Sequence, residues 1–426
     1  MSFSFIHVAD IHFGKIFSDK GISDYVSLKS VNSIFSNLVN FAIEKQVDFI
    51  FIAGDTFDSS IQDLSSKLLL KKELEKLEKV GIKAFLICGN HDPLSSYNIN
   101  TFNFDENSDI KIIGLNTKNP YKTVLLDKEN NPCVSLNAFS FEQAELRENP
   151  IIYFNAPNLE ESKLFNVGLL HCDLNASKDS PYAPCSVNDL KKLNYDYWAL
   201  GHIHQPMQIE ENIIYSGTLQ SRNSKETGKH GFSFVVVENG KIKENVFIPF
   251  DVARYEIIEI DLSSIEDKEF VDTYISNEIF NKFLNNISCE NIFLELILVG
   301  SIEYYSLLEE KIKNLKTSIF ENSNNKISIS NIKNMTIPKV DYEKLKSDMG
   351  LLGEIVKTVE DEGIIEETYI EVNSILEKEF SNCFFTEEEK QTLKQEIIQK
   401  AKENCLDKIN QLYNIGRGNW LWINLS

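Results

Sequence analysis

No apolar run in these 426 residues approaches the ~18 needed to span a membrane, so no membrane anchoring is expected. The opening Met1-Ser2-Phe3-Ser4-Phe5 lacks the basic head of a secretory leader and reads straight into a strand. A cytoplasmic location is the expectation that follows. The seven cysteines are scattered, odd in number and never spaced as CxxC. That argues against a disulfide framework and a structural zinc site, and for free buried thiols in a reducing compartment. Basic residues are also short: 43 lysines and arginines face 64 acids, for a net charge of -21. Such a balance repels a phosphate backbone at long range. A nucleic-acid role would need metal ions and a local basic surface, or a partner that supplies the grip. There is no internal repeat and no low-complexity segment.

What is present is an ordered alternation. Phe3–Ala9, Asp48–Ala53 and Lys83–Cys88 are apolar runs that read as strands, and 24–46 and 64–80 have helical spacing between them. On the second helix Leu68, Leu69, Leu74, Leu77 and Val80 are expected to face inward. This βαβαβ order places active residues at the carboxyl ends of parallel strands. From about 110 to 250 the elements are short and mostly β: 110–115, 122–126, 133–139, 166–171, 195–200, 212–216, 231–238 and 241–248. Asn239-Gly240 marks the last hairpin. Strands added on both sides of a parallel core suggest two stacked sheets flanked by helices.

Pro249–Arg254 reads as a linker. Beyond it a strand at 255–262, a helix at 266–284, a strand at 291–299, a helix at 302–316 and a strand at 326–332 make a small α+β domain ending near Pro338. Residues 341–413 are helix formers, expected as helices over 342–358, 364–380 and 387–412. The chain thus divides into 1–250, 251–338 and 339–426.

Histidine is scarce, at seven residues. Five of the seven fall directly after apolar strand-like runs: Asp10-Ile11-His12, Gly89-Asn90-His91-Asp92, His171 and Gly201-His202-Ile203-His204. Gly54-Asp55-Thr56-Phe57-Asp58 sits at the same kind of strand end without a histidine. Side chains two apart share a face of an extended chain, so Asp10 with His12, and His202 with His204, can point at one site. Imidazole with carboxylate suits Mn, Fe or Zn. Taken singly, each group has an ordinary explanation: a surface loop, a turn, a hydrogen-bonded histidine. Five in order, each at a strand end, are hard to explain that way. His7 alternates with core positions and reads as structural.

The series D-x-H, GD-xx-D, GNHD, H, GH-x-H resembles that of the calcineurin-like metallophosphoesterases, over about residues 5–235. Finer detail resembles the SbcD-type DNA repair exonuclease subunits: Phe5–Gly14, Gly201-His202-Ile203-His204-Gln205-Pro206, and Tyr215-Ser216-Gly217-Thr218-Leu219-Gln220-Ser221-Arg222. Asp348–Glu354 is similar to a YhaO-like subgroup. The resemblance implies a four-layer αββα sandwich followed by a small capping domain and a helical C-terminal segment. It implies two divalent ions, usually manganese in this family. Asp10, His12, Asp55 and His204 would hold one ion, and Asp55, Asn90, His171 and His202 the other. Two such ions, ~3.5–4 Å apart, activate water and stabilise in-line phosphoryl displacement. His91 would steer the phosphate and protonate the leaving 3′ oxygen, with Asp58 orienting it. Two departures stand out: some relatives carry histidine at the position of Asp58, and proline is common at that of Ser216. Arg222 could contact phosphate or form a structural ion pair.

The resemblance implies a manganese-dependent DNA exo/endonuclease that works as a homodimer with an SMC-like ATPase of the SbcC or YhaN type. The alternatives are a small-molecule phosphodiesterase or nucleotidase, which the acidic balance favours, and a non-enzymatic adaptor, against which no ligand position is missing. The tail 341–426 holds 18 acids and 10 bases, a net charge of -8. Its apolar stripes, Leu351-Leu352-Ile355-Val359 and Leu393-Ile397-Ile398-Ala401-Leu406-Ile409-Leu412, could pack on each other or dock on the ATPase. Trp420 and Trp422 suggest some docking.

Overall fold

The computed structural model describes residues 2–14, 24–58, 64–97, 107–175, 179–283, 289–339 and 351–361, with a few isolated positions besides. The chain forms two compact units. One comprises Met1–Ile257 with Asn285–Leu294 and Ser323–Ser330, and the other comprises Ile258–Leu284, Glu295–Asn322 and Asn331–Ser426.

The first unit is built on two six-stranded sheets. Strands β1 (Ser2–Val8), β2 (Phe49–Ala53), β3 (Lys83–Ile87) and β4 (Ile110–Ile112) run parallel, joined first through α1 (Asp24–Lys45) and α2 (Leu64–Lys79). The hairpin β11 (Gly231–Glu238) and β12 (Lys241–Pro249) extends this sheet antiparallel beside β1, giving the order β12-β11-β1-β2-β3-β4. The second sheet contains β5 (Tyr121–Leu126), β6 (Pro132–Phe139), β7 (Phe165–His171), β8 (Tyr197–Gly201), β9 (Met207–Glu210) and β10 (Ile213–Tyr215), in the order β5-β6-β7-β8-β10-β9. Its central strands are parallel.

Alternation along each strand sorts side chains into layers. In β1 and β2 the phenylalanines Phe3, Phe5, Phe49 and Phe51 meet Val134, Leu136, Val167, Leu169 and Tyr197 between the sheets. Ile6, Val8, Ile50 and Ile52 point the other way, against Phe35, Leu38, Leu70, Leu74 and Leu77 of the helices. On the far side of the second sheet Leu170, Trp198 and Leu200 pack with Phe154 and with Leu190 of α3 (Val187–Lys191). This is the mixed α/β, two-sheet fold expected.

Several expectations shift in detail. Leu68 of α2 and Val80 just after it are 53% and 51% exposed, while Leu70 is buried. The inward stripe is Leu70, Leu74 and Leu77, and three leucines in a row left its phase ambiguous. The stretch 249–254 is no solvated linker: Asp251 and Arg254 are buried and share two 2.7 Å hydrogen bonds. The Gln220 side chain accepts from Val252 and Ala253 N–H at 3.1 Å each. Mutual pairing hides charges that look solvent-seeking when read singly. Strand β9 and helix α3 were not anticipated.

Beyond residue 252 lies a three-stranded sheet in the order β13 (Ala253–Asp261), β14 (Asn291–Val299), β16 (Ile327–Asn334). Strand β14 buries every second residue, the mark of a sheet covered on one face. The helix α4 (Val271–Phe283) buries Val271, Ile275, Ile279 and Phe283, one per turn. The helix expected over 302–316 is broken into α5 (Leu308–Lys311) and α6 (Leu315–Asn322). Leu308, Ile312, Leu315 and Ile319 keep helical spacing and are buried across the break. Asn314 sits at the interruption, and asparagine is a residue type of low helix propensity. A short parallel pair, β15 (Ser301–Ile302) and β17 (Ile337–Pro338), closes this region. Helix α7 (Leu351–Glu360) begins within the expected helical segment. The helix expected over 387–412, its apolar stripe and the two tryptophans lie outside the described residues. Among the described residues, no helix is long and apolar enough to cross a membrane. Five cysteines (88, 133, 172, 185 and 289) are buried and free.

Candidate metal centre

The carboxyl ends of β1, β2, β3, β7 and β8 bring all five motif clusters to one edge of the sandwich. The chains leaving β1 and β2 run side by side, with Asp10 N–H on Gly54 O at 3.1 Å, His12 N–H on Asp55 O at 3.0 Å and Phe13 N–H on Thr56 O at 2.9 Å. Asp10, His12, Asp55 and His202 all have positive φ (51°, 50°, 49° and 103°). Positive φ at four non-glycine positions of one site is local strain held by the surroundings. Glycine is required beside them. A Cβ on Gly201 would lie 1.9 Å from Ala53 O, and one on Gly89 would lie 2.2 Å from Asp55 Oδ1.

The donors converge in pairs. His12 Nε2 faces His204 Nε2 at 3.3 Å. Asp55 Oδ2 lies 3.8 Å from His12 Nε2 on one side and 3.5 Å from His171 Nε2 on the other. Asn90 Oδ1 is 3.0 Å from His171 Nε2 and 3.2 Å from His202 Nδ1. Ligand atoms of Asp10, His12 and His204 lie within 4.8 Å of one another, as do those of Asp10, Asp55 and His171. All seven residues expected as ligands therefore meet at one place.

The protonation states decide what this pocket wants. His171 Nδ1 lies 2.9 Å from Ala53 O, which can only accept, so Nδ1 carries the proton. Nε2 is then a bare lone pair aimed at an amide oxygen and a carboxylate. Three acceptors facing each other repel unless a cation sits among them or the Asp55 carboxyl holds a proton. Protonating the ring does not relieve this, because burial lowers the His171 pKa to about 3. Burial also lowers His202 to about 3. Burial, and then the charge of Asp55, hold Asp10 well above the carboxylate range. Burial pushes Asp55 up to about 6, against the pull of His91. Two buried carboxylates and four imidazoles, with the Arg222 guanidinium 2.6 Å from His204 Nδ1 beside them, fit divalent cations of the Mn, Fe or Zn kind.

Residues 3–206 match the family model of calcineurin-like phosphoesterases. This part of the chain is similar to the calcineurin-like phosphoesterases. An uncharacterized metallophosphoesterase, YhaO of Bacillus subtilis (strain 168), is 34% identical over 249 residues, 56% of this chain and 58% of that protein. The chain thus spans less than two thirds of that relative's length. Among solved structures, a dimetal phosphatase from Danio rerio is 12% identical with a TM-score of 0.33, covering 58% of this chain and 96% of that one. The calcineurin-like phosphoesterase YfkN from Bacillus subtilis is 13% identical with a TM-score of 0.34, covering 57% and 87%.

Around these donors stand further groups, and the ligand atoms of Asp58 and His91 lie within 4.8 Å of each other and of His12. His91 Nδ1 lies 3.8 Å from Asp58 Oδ1, an ion-pair separation too long for a hydrogen bond, with the His91 side chain 35% exposed. His91 N–H donates to Asp55 Oδ1 at 2.9 Å, so the backbone beside the histidine fixes the central carboxylate. His7 is structural: buried, 3.1 Å from both Tyr197 OH and Leu200 O. Arg222 N–H donates to Glu226 Oε2 at 2.7 Å, and its guanidinium pairs with Oε1 at 3.3 Å.

Two residues escaped the sequence reading. Asp92 accepts from Gly89, Thr56 and Phe57 N–H and from Tyr97 OH at 2.8–3.2 Å, tying the loops after β2 and β3 together. Burial and Asp55 push it up to about 8, against those four donors. Its place in Gly89-Asn90-His91-Asp92 was the available signal. Glu226 lies 2.9 Å from His204 Nδ1. Burial would raise its pKa, but His204 and Arg222 outweigh this and hold it near about 2. A glutamate in a polar loop gives no signal of its own.

Proposed function

We propose that this domain hydrolyses phosphodiester bonds in DNA, as an exo/endonuclease using two divalent ions, with manganese the preferred metal. The observation that carries the reading is the bare His171 Nε2 facing Asn90 Oδ1 and Asp55 Oδ2 among the buried donors. Asp10, His12, Asp55 and His204 would hold one ion, and Asp55, Asn90, His171 and His202 the second. Asp55 serves both because its carboxylate stands between His12 and His171. Such a pair of ions polarises the phosphate and lowers the pKa of the attacking water.

The protein's own part is orientation and proton transfer. His91 is partly exposed beside the donors, and in this reading it donates a proton to the leaving oxygen rather than ligating. Asp58 faces its Nδ1 and orients the ring. The SbcD-like motifs support DNA as substrate and a role in DNA repair. They also support a homodimer and an SMC-like ATPase partner, which would supply the grip that a net charge of -21 denies.

Turnover of bis(p-nitrophenyl) phosphate by metal-stripped protein, before and after manganese is restored, tests the chemistry. Activity should vanish on stripping and return with the metal. Activity indifferent to metal would overturn the reading.

A further inference from the structure

Glu226 lies in the loop between β10 and β11, outside the seven donors. Its Oε1 is 2.9 Å from His204 Nδ1, while Nε2 of the same ring faces His12 Nε2 at 3.3 Å. The carboxylate is itself held: Arg222 N–H reaches Oε2 at 2.7 Å, and Arg222 Nε and Asn223 Nδ2 reach Oε1 at 3.3 and 3.4 Å. An imidazole left to itself carries its proton on either nitrogen, and one tautomer would turn an N–H toward the metal pocket. A carboxylate against Nδ1 favours the tautomer that donates the Nδ1 proton to it. Arg222 also lies near this atom, its terminal nitrogen 2.6 Å from Nδ1. A guanidinium only donates, so Nδ1 cannot serve both neighbours at once. Only the tautomer that donates to Glu226 leaves Nε2 free for a metal.

The other imidazole with a fixed tautomer makes the comparison. His171 donates Nδ1–H to the backbone carbonyl of Ala53, a lock that no side-chain substitution removes. The lock on His204 is a side chain. We propose that Glu226 is a positioning residue that fixes His204 as the Nδ1–H tautomer, so that Nε2 ligates the ion shared with Asp10, His12 and Asp55. This rests on the two-metal reading above. Outer carboxylates of this kind orient a ligating histidine and raise its basicity, and losing one costs about 10- to 100-fold in metal affinity.

Calorimetric titration of the metal-stripped full chain with Mn²⁺ tests this in the wild type, Glu226→Gln and Glu226→Asp. The wild type should take up two ions. Glu226→Gln should bind one ion about 10- to 100-fold more weakly and leave the other unchanged, with Glu226→Asp falling between. A second measurement needs no variant: histidine side-chain ¹⁵N spectra of the Zn²⁺-loaded wild type should show His204 metallated at Nε2 and protonated at Nδ1. Metallation at Nδ1, or two unchanged affinities in a folded Glu226→Gln protein, would overturn the assignment alone. A wild type that takes up no metal would overturn the two-metal reading with it.

Discussion

At Asp55 one carboxylate meets two sets of partners, and this makes its substitution unlike that of its neighbours. His204→Ala or Asp10→Asn should cost one ion and nearly all phosphodiesterase activity. Asp55→Asn should disturb both ions, because an amide oxygen cannot bridge with charge. Metal content of the purified variants checks this, and two retained ions in Asp55→Asn would break the assignment. The same residue sets a pH dependence. Its pKa is raised to about 6, so protons compete with metal below that pH and not above it. Manganese affinity should therefore fall between pH 7 and pH 5, with proton release on binding growing over the same range. Equal affinity at both ends would show that Asp55 does not ligate. His91→Ser should keep both ions and lose turnover by about 10²- to 10⁴-fold, as for loss of a general acid. Loss of a metal instead would make His91 a ligand. The ligand types were legible in the sequence because aspartate and histidine at strand ends seldom serve packing. Asp92 and Glu226 were less so, because a residue that acts through another carries no signature of its own.

Strand ends and the turns after them make the site, and glycine sets how closely they approach. The β8 terminus lies so near β2 that a Cβ on Gly201 would fall 1.9 Å from Ala53 O. Gly201→Ala should cost about 1–3 kcal/mol, as overpacking does, and should also weaken metal binding, since Ala53 O fixes the His171 tautomer. Thermal unfolding with and without Mn²⁺ would measure both effects, and an unchanged melting temperature would show that the strands can part. At this scale the sequence was informative where period and length agreed. Strands β1, β2, β3 and β7 came out within a residue or two, and the Asn239-Gly240 turn fell where expected. The failures have physical causes. The apolar spacing of 308, 312, 315 and 319 is unbroken, so it could not reveal the stop at Asn314. The paired Asp251 and Arg254 look solvated when read alone. Strand β9 alternates apolar and polar over only four residues, too short a run to stand out in the sequence.

Over the whole molecule, charge and chemistry pull apart. A net charge of -21 opposes DNA, yet the buried donors need cations, and each bound ion reverses part of that field where the phosphate must sit. On the proposed reading an ATPase partner would supply the remaining grip, with the segment 341–426 as its dock. Its net charge of -8 disfavours direct DNA binding as its main use. Deleting 341–426 should leave manganese-dependent hydrolysis of a small diester intact and abolish complex formation with the ATPase. Unchanged affinity for the ATPase would rule out that docking role. The central claim, that a two-metal centre here cuts DNA, is tested most directly with one substrate. Metal-stripped protein is incubated with end-labelled linear duplex DNA, with and without Mn²⁺ and with its ATPase present. Shortening of the duplex only when Mn²⁺ is added, and its loss in Asp55→Asn, is the expected result. Intact DNA under conditions where bis(p-nitrophenyl) phosphate is hydrolysed would contradict it.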